Sequence, residues 1–347
     1  MRITIIGVGA MGSLFAGRLS PLSDVTMLGQ WEAQLKILNE KGITLLHPNG
    51  RRSQYPLKAT NDPTSIPAAD LVLIMVKTPK TAAAAEHAAT ILKPDGLVIS
   101  LQNGLGNLET IANIVGPERA VQGVTSEGAA MLEAGVVRHA GAGQTYLATG
   151  VLTGLPTGEQ RMAQLKETAA LFNKAEFETE LVEQADSLIW GKLAVNAGIN
   201  PLTALLQVPN GFLVENEAAR QLMSRAASEA AVVAQALHIP LPYDDAAERA
   251  EQVAQATAAN HSSMAQDVAR GVPTEIEAIC GAVVRHGQQL GVPTPINRAW
   301  QELIQRQTTT GQWQDALENQ PPDIRRAMRQ LIKGESSVIG RTPAGDW

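Results

Sequence analysis

Ile3-Thr4-Ile5-Ile6-Gly7-Val8-Gly9-Ala10-Met11-Gly12 is the stretch that decides the fold. Four β-prone residues lead directly into three glycines with G-x-G-x-x-G spacing. Ser13 to Leu19 then places Leu14, Phe15 and Leu19 as the apolar positions of a helix. Strand, glycine turn and helix in this order form a cradle for phosphates. The first glycine permits the tight turn, the second lets a pyrophosphate approach the backbone, and the third lets helix and strand pack closely. The helix N-terminus adds unpaired N–H groups and the positive end of its dipole. Gly7, Val8, Gly9, Ala10, Met11 and Gly12 are therefore expected to bind a dinucleotide. Spacing alone would be weak in a chain with 30 glycines, where a structural turn also fits; the flanking strand and helix decide.

Working outward, Val25-Thr26-Met27-Leu28 reads as the next strand. Leu71-Val72-Leu73-Ile74-Met75-Val76 and Leu97-Val98-Ile99-Ser100-Leu101 are continuous apolar runs, as strands buried on both faces require. Ala82 to Leu92 is an alanine-rich helix, and Asn103-Gly104-Leu105-Gly106 turns into another near Leu108–Ile114. Val136 to Leu147 is strand material again. Alternating strands and helices predict a parallel sheet with right-handed crossovers. Lys77 follows the third strand at the carboxyl edge, where such sheets bind ligands; taken alone it is also a solvated strand-end lysine.

From Gln184 onward strand signals vanish, and Ala, Leu, Glu and Gln dominate. Helices are expected over 187–199, 217–237, 244–268, 274–290 and 294–307, broken at Ile239-Pro240-Leu241-Pro242 and Gly291-Val292-Pro293. The fold class is thus an α/β N-terminal Rossmann-type dinucleotide-binding domain (1–182) followed by an all-α C-terminal domain (183–307). Residues 308–347 read as an appendage of the helical domain. It holds a short helix after Gln320-Pro321-Pro322-Asp323 and disorder at its end.

Composition narrows the function. The 347 residues carry 44% hydrophobic and 18% charged side chains with a net charge of −6. A nucleic-acid footprint is not expected from that balance. No apolar run reaches the roughly 18–20 residues of a membrane span. Cys280 is the only cysteine and the six histidines are scattered, so neither a disulfide framework nor a metal site is expected. The first residues run straight into a strand without signal-peptide regions. A cytoplasmic enzyme is expected.

Chemistry concentrates in Trp190-Gly191-Lys192-Leu193-Ala194-Val195-Asn196-Ala197-Gly198-Ile199-Asn200-Pro201. Steps of four place Lys192, Asn196 and Asn200 on one helical face. One ammonium and two amides among apolar neighbours suit a ketone or carboxylate ligand. Pro201 disfavours the α region at Asn200, so the helix is expected to end or kink there. The plainer readings are a surface lysine, an interhelical amide and a C-terminal cap. Asn210 in Pro209-Asn210-Gly211, the Asn260–Met264 segment and Glu275 read singly as turn, cap and dipole partner.

These segments together resemble the ketopantoate reductase family from residue 1 to about 300. The resemblance is carried by the glycine loop, Val76-Lys77, Gln102-Asn103-Gly104-Leu105-Gly106, Gly123-Val124-Thr125-Ser126-Glu127-Gly128-Ala129 and Val137-Arg138-His139-Ala140-Gly141. In the second half it rests on the Lys192 segment, Pro209-Asn210-Gly211, Ser262-Ser263-Met264-Ala265-Gln266-Asp267 and Thr274-Glu275-Ile276. It implies NADPH-dependent reduction of 2-dehydropantoate to pantoate, for pantothenate and coenzyme A synthesis, with Lys192 as general acid. It further implies that Asn103, Asn196, Asn200, Asn210 and Ser263 bind substrate. Lys77, Asn103, Ala129 and Glu275 would join the glycine loop at the cofactor, and the partners would be a small 2-oxo acid and a second copy in a homodimer. Two readings stand beside it: a reductase of another 2-oxo acid, and a nicotinamide-binding sensor without turnover. The second strand ends at Leu28-Gly29-Gln30, with neither the carboxylate of an NAD site nor the family's arginine, although Lys36, Arg51 or Arg52 lie within reach in sequence. NADP is implied by the family, and use of NAD stays open.

Overall fold

Alternation along the central strands builds two cores from one sheet. In the computed structural model, which describes residues 1–152 and 158–335, Ile3, Ile5, Leu71, Leu73, Leu97 and Ile99 face one side. Ile6, Val72, Ile74 and Val98 face the other. This is the period of two that strand geometry imposes. The chain divides into two compact units, Met1–Ala185 and Asp186–Trp347.

The strands of the first unit are β1 (Arg2–Ile6), β2 (Asp24–Leu28), β3 (Ile43–Leu46), β4 (Arg52–Tyr55), β5 (Lys58–Thr60), β6 (Ala69–Ile74), β7 (Leu92–Ser100), β8 (Ala120–Thr125), β9 (Gly128–Glu133), β10 (Val136–Gly141), β11 (Thr145–Ala148) and β12 (Thr179–Val182). Its helices are α1 (Ala10–Leu19), α2 (Glu32–Lys41), α3 (Thr81–Ile91), α4 (Asn107–Val115) and α5 (Gly158–Lys174). The large sheet has the order β12-β11-β8-β7-β6-β1-β2-β5. It is parallel from β5 to β8, and β11 joins antiparallel. One face is covered by α3 and α4 through Ala84, Ala88, Ile111 and Val115. The other is covered by α1 and by Leu165, Ala169 and Phe172 of α5. A second sheet, β4-β3-β10-β9, packs over α1 through Ile43, Leu45, Met131 and Val137. The expected parallel α/β unit is present. Strands β3, β4, β5, β8, β9 and β12 were not expected from the sequence.

A buried polar staple fastens the second sheet to α1. Arg18 Nη2 lies 3.2 Å from His139 Nδ1, and His139 Nε2 lies 2.5 Å from Glu127 Oε2. Guanidinium only donates, so Nδ1 accepts and Nε2–H is the donor to Glu127. Both partners of the His139–Glu127 contact are buried. His139 is the cross-strand neighbour of Ala129.

The second unit is helical: α6 (Asp186–Leu206), α7 (Phe212–Glu215), α8 (Glu217–Ala236), α9 (Ala246–Ala256), α10 (Ser263–Ala269), α11 (Cys280–Leu290), α12 (Pro295–Thr310), α13 (Gln314–Leu317) and α14 (Pro322–Glu335). Helix α6 packs against α8, α9, α10 and α12. A Cβ on Gly198 would meet the Met223 carbonyl oxygen at 2.8 Å, so glycine there allows α6 and α8 their close approach.

Three expectations need correction. Helix α6 does not stop at Asn200; it runs through Pro201 to Leu206. Proline removes one hydrogen bond and crowds the preceding turn, but Leu202 and Ala204–Leu206 are buried beyond it and hold the continuation in place. The helix expected over 244–268 is two helices, separated by the segment 257–262 that carries Asn260 and the Ser262 cap. The helix expected from Thr274 begins at Cys280. Glu275–Ile279 forms a turn, with Ala278 and Ile279 N–H both donating to the Glu275 carbonyl, and Ile279 departs from helical dihedrals (φ −100°, ψ −90°). The tail's short helix is α14, whose Ile324, Met328 and Leu331 are buried. It packs on α8, where Arg225 pairs with Asp323 at 2.7 Å. The tail end read as disordered lies outside the described residues.

Candidate active site

Sterics in the glycine loop separate structural from functional glycines. A Cβ on Gly7 (φ +126°) would lie 2.6 Å from the Met75 carbonyl oxygen, and one on Gly12 would lie 2.0 Å from that of Gly7. Both are close approaches that hold β1, β6 and α1 together. Gly9 is different: it is exposed, and its Cβ would meet no heavy atom within 4 Å. Gly9 is the N-cap of α1 and no side chain caps it; the Ser13 N–H donates to the Gly9 carbonyl at 2.9 Å. Open space beside Gly9 and the uncapped first turn fit a pyrophosphate. Val8 is buried, while Ala10 and Met11 are half-buried.

Behind the adjacent strand ends lies a polar network. Gln102 Nε2 donates to the Val76 carbonyl (2.9 Å) and to Thr81 Oγ1 (2.7 Å). Ser100 Oγ donates to Gln102 Oε1 at 3.0 Å. Thr81 Oγ1 donates to Asn107 Oδ1 (2.9 Å), and Asn107 Nδ2 donates to the Asn103 carbonyl (3.0 Å). Thus the loop carrying Lys77 and the loop carrying Asn103 are tied together by the buried Gln102 side chain. Lys77, Asn103 and Ala129 are half-buried. From the sequence, Lys77 and Asn103 had expected roles, while Gln102 stood only as part of a motif and Thr81 and Asn107 were not singled out.

In the second unit, Lys192, Asn196 and Asn200 follow one another at helical steps along α6, and the last is buried. Desolvation lowers the Lys192 pKa from 10.5 to about 8, while the charge of Glu275 pulls it back up. Burial penalises the ammonium and a nearby carboxylate favours it; here burial is the larger effect. Glu275, 7% exposed, sits on the turn before α11. The Lys192 turn is clamped from outside, with Tyr243 Oη donating to the Gly191 carbonyl at 2.7 Å. Burial raises the Tyr243 pKa to about 12, so its hydroxyl remains a donor.

Asn210 is buried beside the 257–260 segment. Its N–H donates to the Asn260 carbonyl (2.9 Å) and its Nδ2 to Thr257 Oγ1 (2.8 Å). Thr257 gives its own proton to the Val253 carbonyl at 2.7 Å. That arrangement fixes the amide orientation of Asn210. Ser263 opens α10 and is exposed; Ser262 before it is the N-cap. Thus Asn210 and Ser263 join α6 through the 257–263 segment, as the hydrogen bonds trace it. No cluster of three metal-ligating side chains occurs among the described residues, and no helix among them is long and apolar enough to cross a membrane.

A phosphate-cradling parallel α/β unit, followed by a helical unit with a desolvated lysine on an amide-lined face, defines a two-domain dinucleotide-binding reductase type. The model of "Ketopantoate reductase PanE/ApbA" matches residues 3–150, and that of its C-terminal part matches residues 184–308. The chain belongs to the ketopantoate reductase family. It is 38% identical over 306 residues to a 2-dehydropantoate 2-reductase of Halobacterium salinarum, covering 88% of this chain and 98% of that protein. A ketopantoate reductase from Ralstonia eutropha has the same fold at a TM-score of 0.79 with 30% identity, over 90% of this chain and 100% of that one. D-mandelate dehydrogenase in complex with NADH and anilino(oxo)acetate is also similar. Its TM-score is 0.81 with 25% identity, over 89% and 98% of the two chains.

Proposed function

We propose that this protein reduces the ketone of 2-dehydropantoate to the alcohol of pantoate, with a nicotinamide dinucleotide as reductant. The observation that carries the reading is Lys192, an ammonium whose pKa is drawn to about 8 and which shares its helical face with Asn196 and Asn200. When bound, a nicotinamide would supply the hydride for the ketone carbon. Lys192 Nζ gives its proton to the oxygen, which would otherwise carry the developing alkoxide charge. Glu275 favours the charged lysine before the transfer and contacts the cofactor. Asn196, Asn200 and Asn210 hold substrate oxygens, and Ser263 holds the carboxylate. Gly7–Gly12 cradle the pyrophosphate, while Asn103, Lys77 and the Ala129 backbone line the nicotinamide end. Most cofactor roles thus fall to the first unit and most substrate roles to the second, with Glu275 serving the cofactor from the second and Asn103 the substrate from the first.

The test is steady-state oxidation of NADPH with 2-dehydropantoate beside a panel of aliphatic and aryl 2-oxo acids. The expected result is the highest kcat/KM for 2-dehydropantoate. The likeness to an NADH-bound D-mandelate dehydrogenase favours one second reading, an aryl 2-oxo acid as substrate. A higher kcat/KM on that arm would establish it. Cofactor binding without any turnover would instead identify a sensor.

NADP is the proposed cofactor, with a weak preference. The chain after β2 offers Gly29 and Gln30, and Gln30 Nε2 makes only a 3.5 Å contact to the Asn61 carbonyl. A bond between arginine and a 2′-phosphate is charge-assisted, and such bonds contribute about 1.5–3 kcal/mol. Gln30→Arg is therefore expected to raise the NADPH-over-NADH ratio of kcat/KM by about tenfold or more. An unchanged ratio would remove position 30 from cofactor selection.

A further inference from the structure

We propose that Thr203 is a positioning residue for the substrate end of the site, acting through Ser262 on the start of α10. The inference rests on the reading that Asn200 and Ser263 hold the 2-oxo acid. Thr203 is fully buried on α6, three residues after Asn200. Its Oγ1 lies 2.8 Å from Ser262 Oγ, a side-chain bond from α6 to the 257–263 segment. It also reaches back to the carbonyls of Ile199 (2.9 Å) and Asn200 (3.1 Å). Ser262, 6% exposed, uses the same oxygen to accept the Ala265 N–H at 3.0 Å and cap α10.

One hydroxyl pair thus joins the Asn200 turn to the residue that sets where α10 begins. Ser263 is the next residue and carries its own side chain outward into exposure. The far end of the segment is tied separately, through Asn210 and Thr257. Between the two ties, Asn260 and His261 are exposed. Without the Thr203–Ser262 contact, Ser263 would keep its chemistry but lose its fixed distance from Asn200. A site that must hold both ends of a small oxo acid is sensitive to such a shift, because misplacement by about 1 Å is costly.

The experiment compares Thr203→Val, Thr203→Ser and Ser262→Ala with the unmodified full-length protein. KM and kcat for 2-dehydropantoate are measured, together with NADPH affinity by titration calorimetry. Valine keeps the β-branched shape and removes only the hydroxyl. Thr203→Val is expected to raise KM about tenfold with kcat changed less than about threefold, and with NADPH affinity unchanged. Thr203→Ser is expected to restore KM, since it returns the hydroxyl. Ser262→Ala is expected to reproduce the valine effect and to carry the test if Thr203→Val does not fold. The double variant is expected to be no worse than the worse single one, because the two side chains share one contact. Unchanged KM in Thr203→Val, a serine variant no better than valine, or an equal loss of NADPH affinity would overturn the proposal. Absence of turnover in the unmodified protein would overturn the underlying reading and this inference with it.

Discussion

Lys192→Ala is expected to lower kcat by about 10³-fold, within the roughly 10²–10⁴-fold that a positioned general acid contributes. NADPH affinity is expected to stay close to that of the native protein, because the phosphate cradle is built from residues of the first unit alone. The substitution removes both a proton and a charge, so a second variant separates the two. Lys192→Arg keeps a cation but cannot release a proton near neutrality. If proton transfer matters most, arginine remains close to alanine; if charge alone suffices, it recovers most of the rate. The pH profile supplies an independent check. With a pKa of about 8, Lys192 is protonated and competent below that value and loses its proton above it. The kcat/KM for ketone reduction should therefore be flat on the acid side and fall tenfold per pH unit above about pH 8. The Lys192→Ala profile should lack this limb. Undiminished turnover in Lys192→Ala would end the assignment of the acid.

Two alanine substitutions in the glycine loop should fail in opposite ways. Gly12→Ala drives a methyl to within 2.0 Å of the Gly7 carbonyl oxygen, and both groups are backbone-fixed. The loop or α1 must move, so Gly12→Ala is expected to lower thermal stability and dinucleotide affinity together. Gly9→Ala meets no protein atom within 4 Å. It should leave the melting temperature unchanged, since the exposed methyl packs on nothing. The same methyl occupies the space where a pyrophosphate would rest, so dinucleotide affinity is expected to fall about 100-fold, or about 2.7 kcal/mol. Calorimetric titration with NADPH beside thermal unfolding checks both variants. Native affinity in Gly9→Ala would move the phosphate site away from this loop.

What could be read in the sequence was local and periodic. The glycine loop declared itself because its strand and helix adjoin it. The face of α6 was legible because Lys192, Asn196 and Asn200 repeat at the helical step. Strand β8 was not legible: all six residues are buried, yet Gln122 and Gly123 interrupt its apolar run. Long-range contacts were equally hidden. Arg18 and His139 meet across 121 residues, and Thr203 and Ser262 across 59. Nothing local in Thr203 distinguishes a back-bonded helical threonine from one that tethers another segment. The helix end that Pro201 allowed at Asn200 does not occur, for a related reason. The proline's local penalty is real, but packing of the residues beyond it outweighs that penalty, and packing is a property of the assembled unit.

Helices α13 and α14 bear on how this protein can be shortened. The family pattern ends at 308, but Trp313, Leu317, Ile324, Met328 and Leu331 are all buried after that point. Helix α14 lies against the same α8 whose Met223 receives Gly198 of the lysine-bearing helix, and α13 lies against α12. A cut placed where likeness to relatives stops would pass through the hydrophobic interior, not beside it. For cloning, the safe boundary is a matter of burial, and the shared pattern is a misleading guide to it.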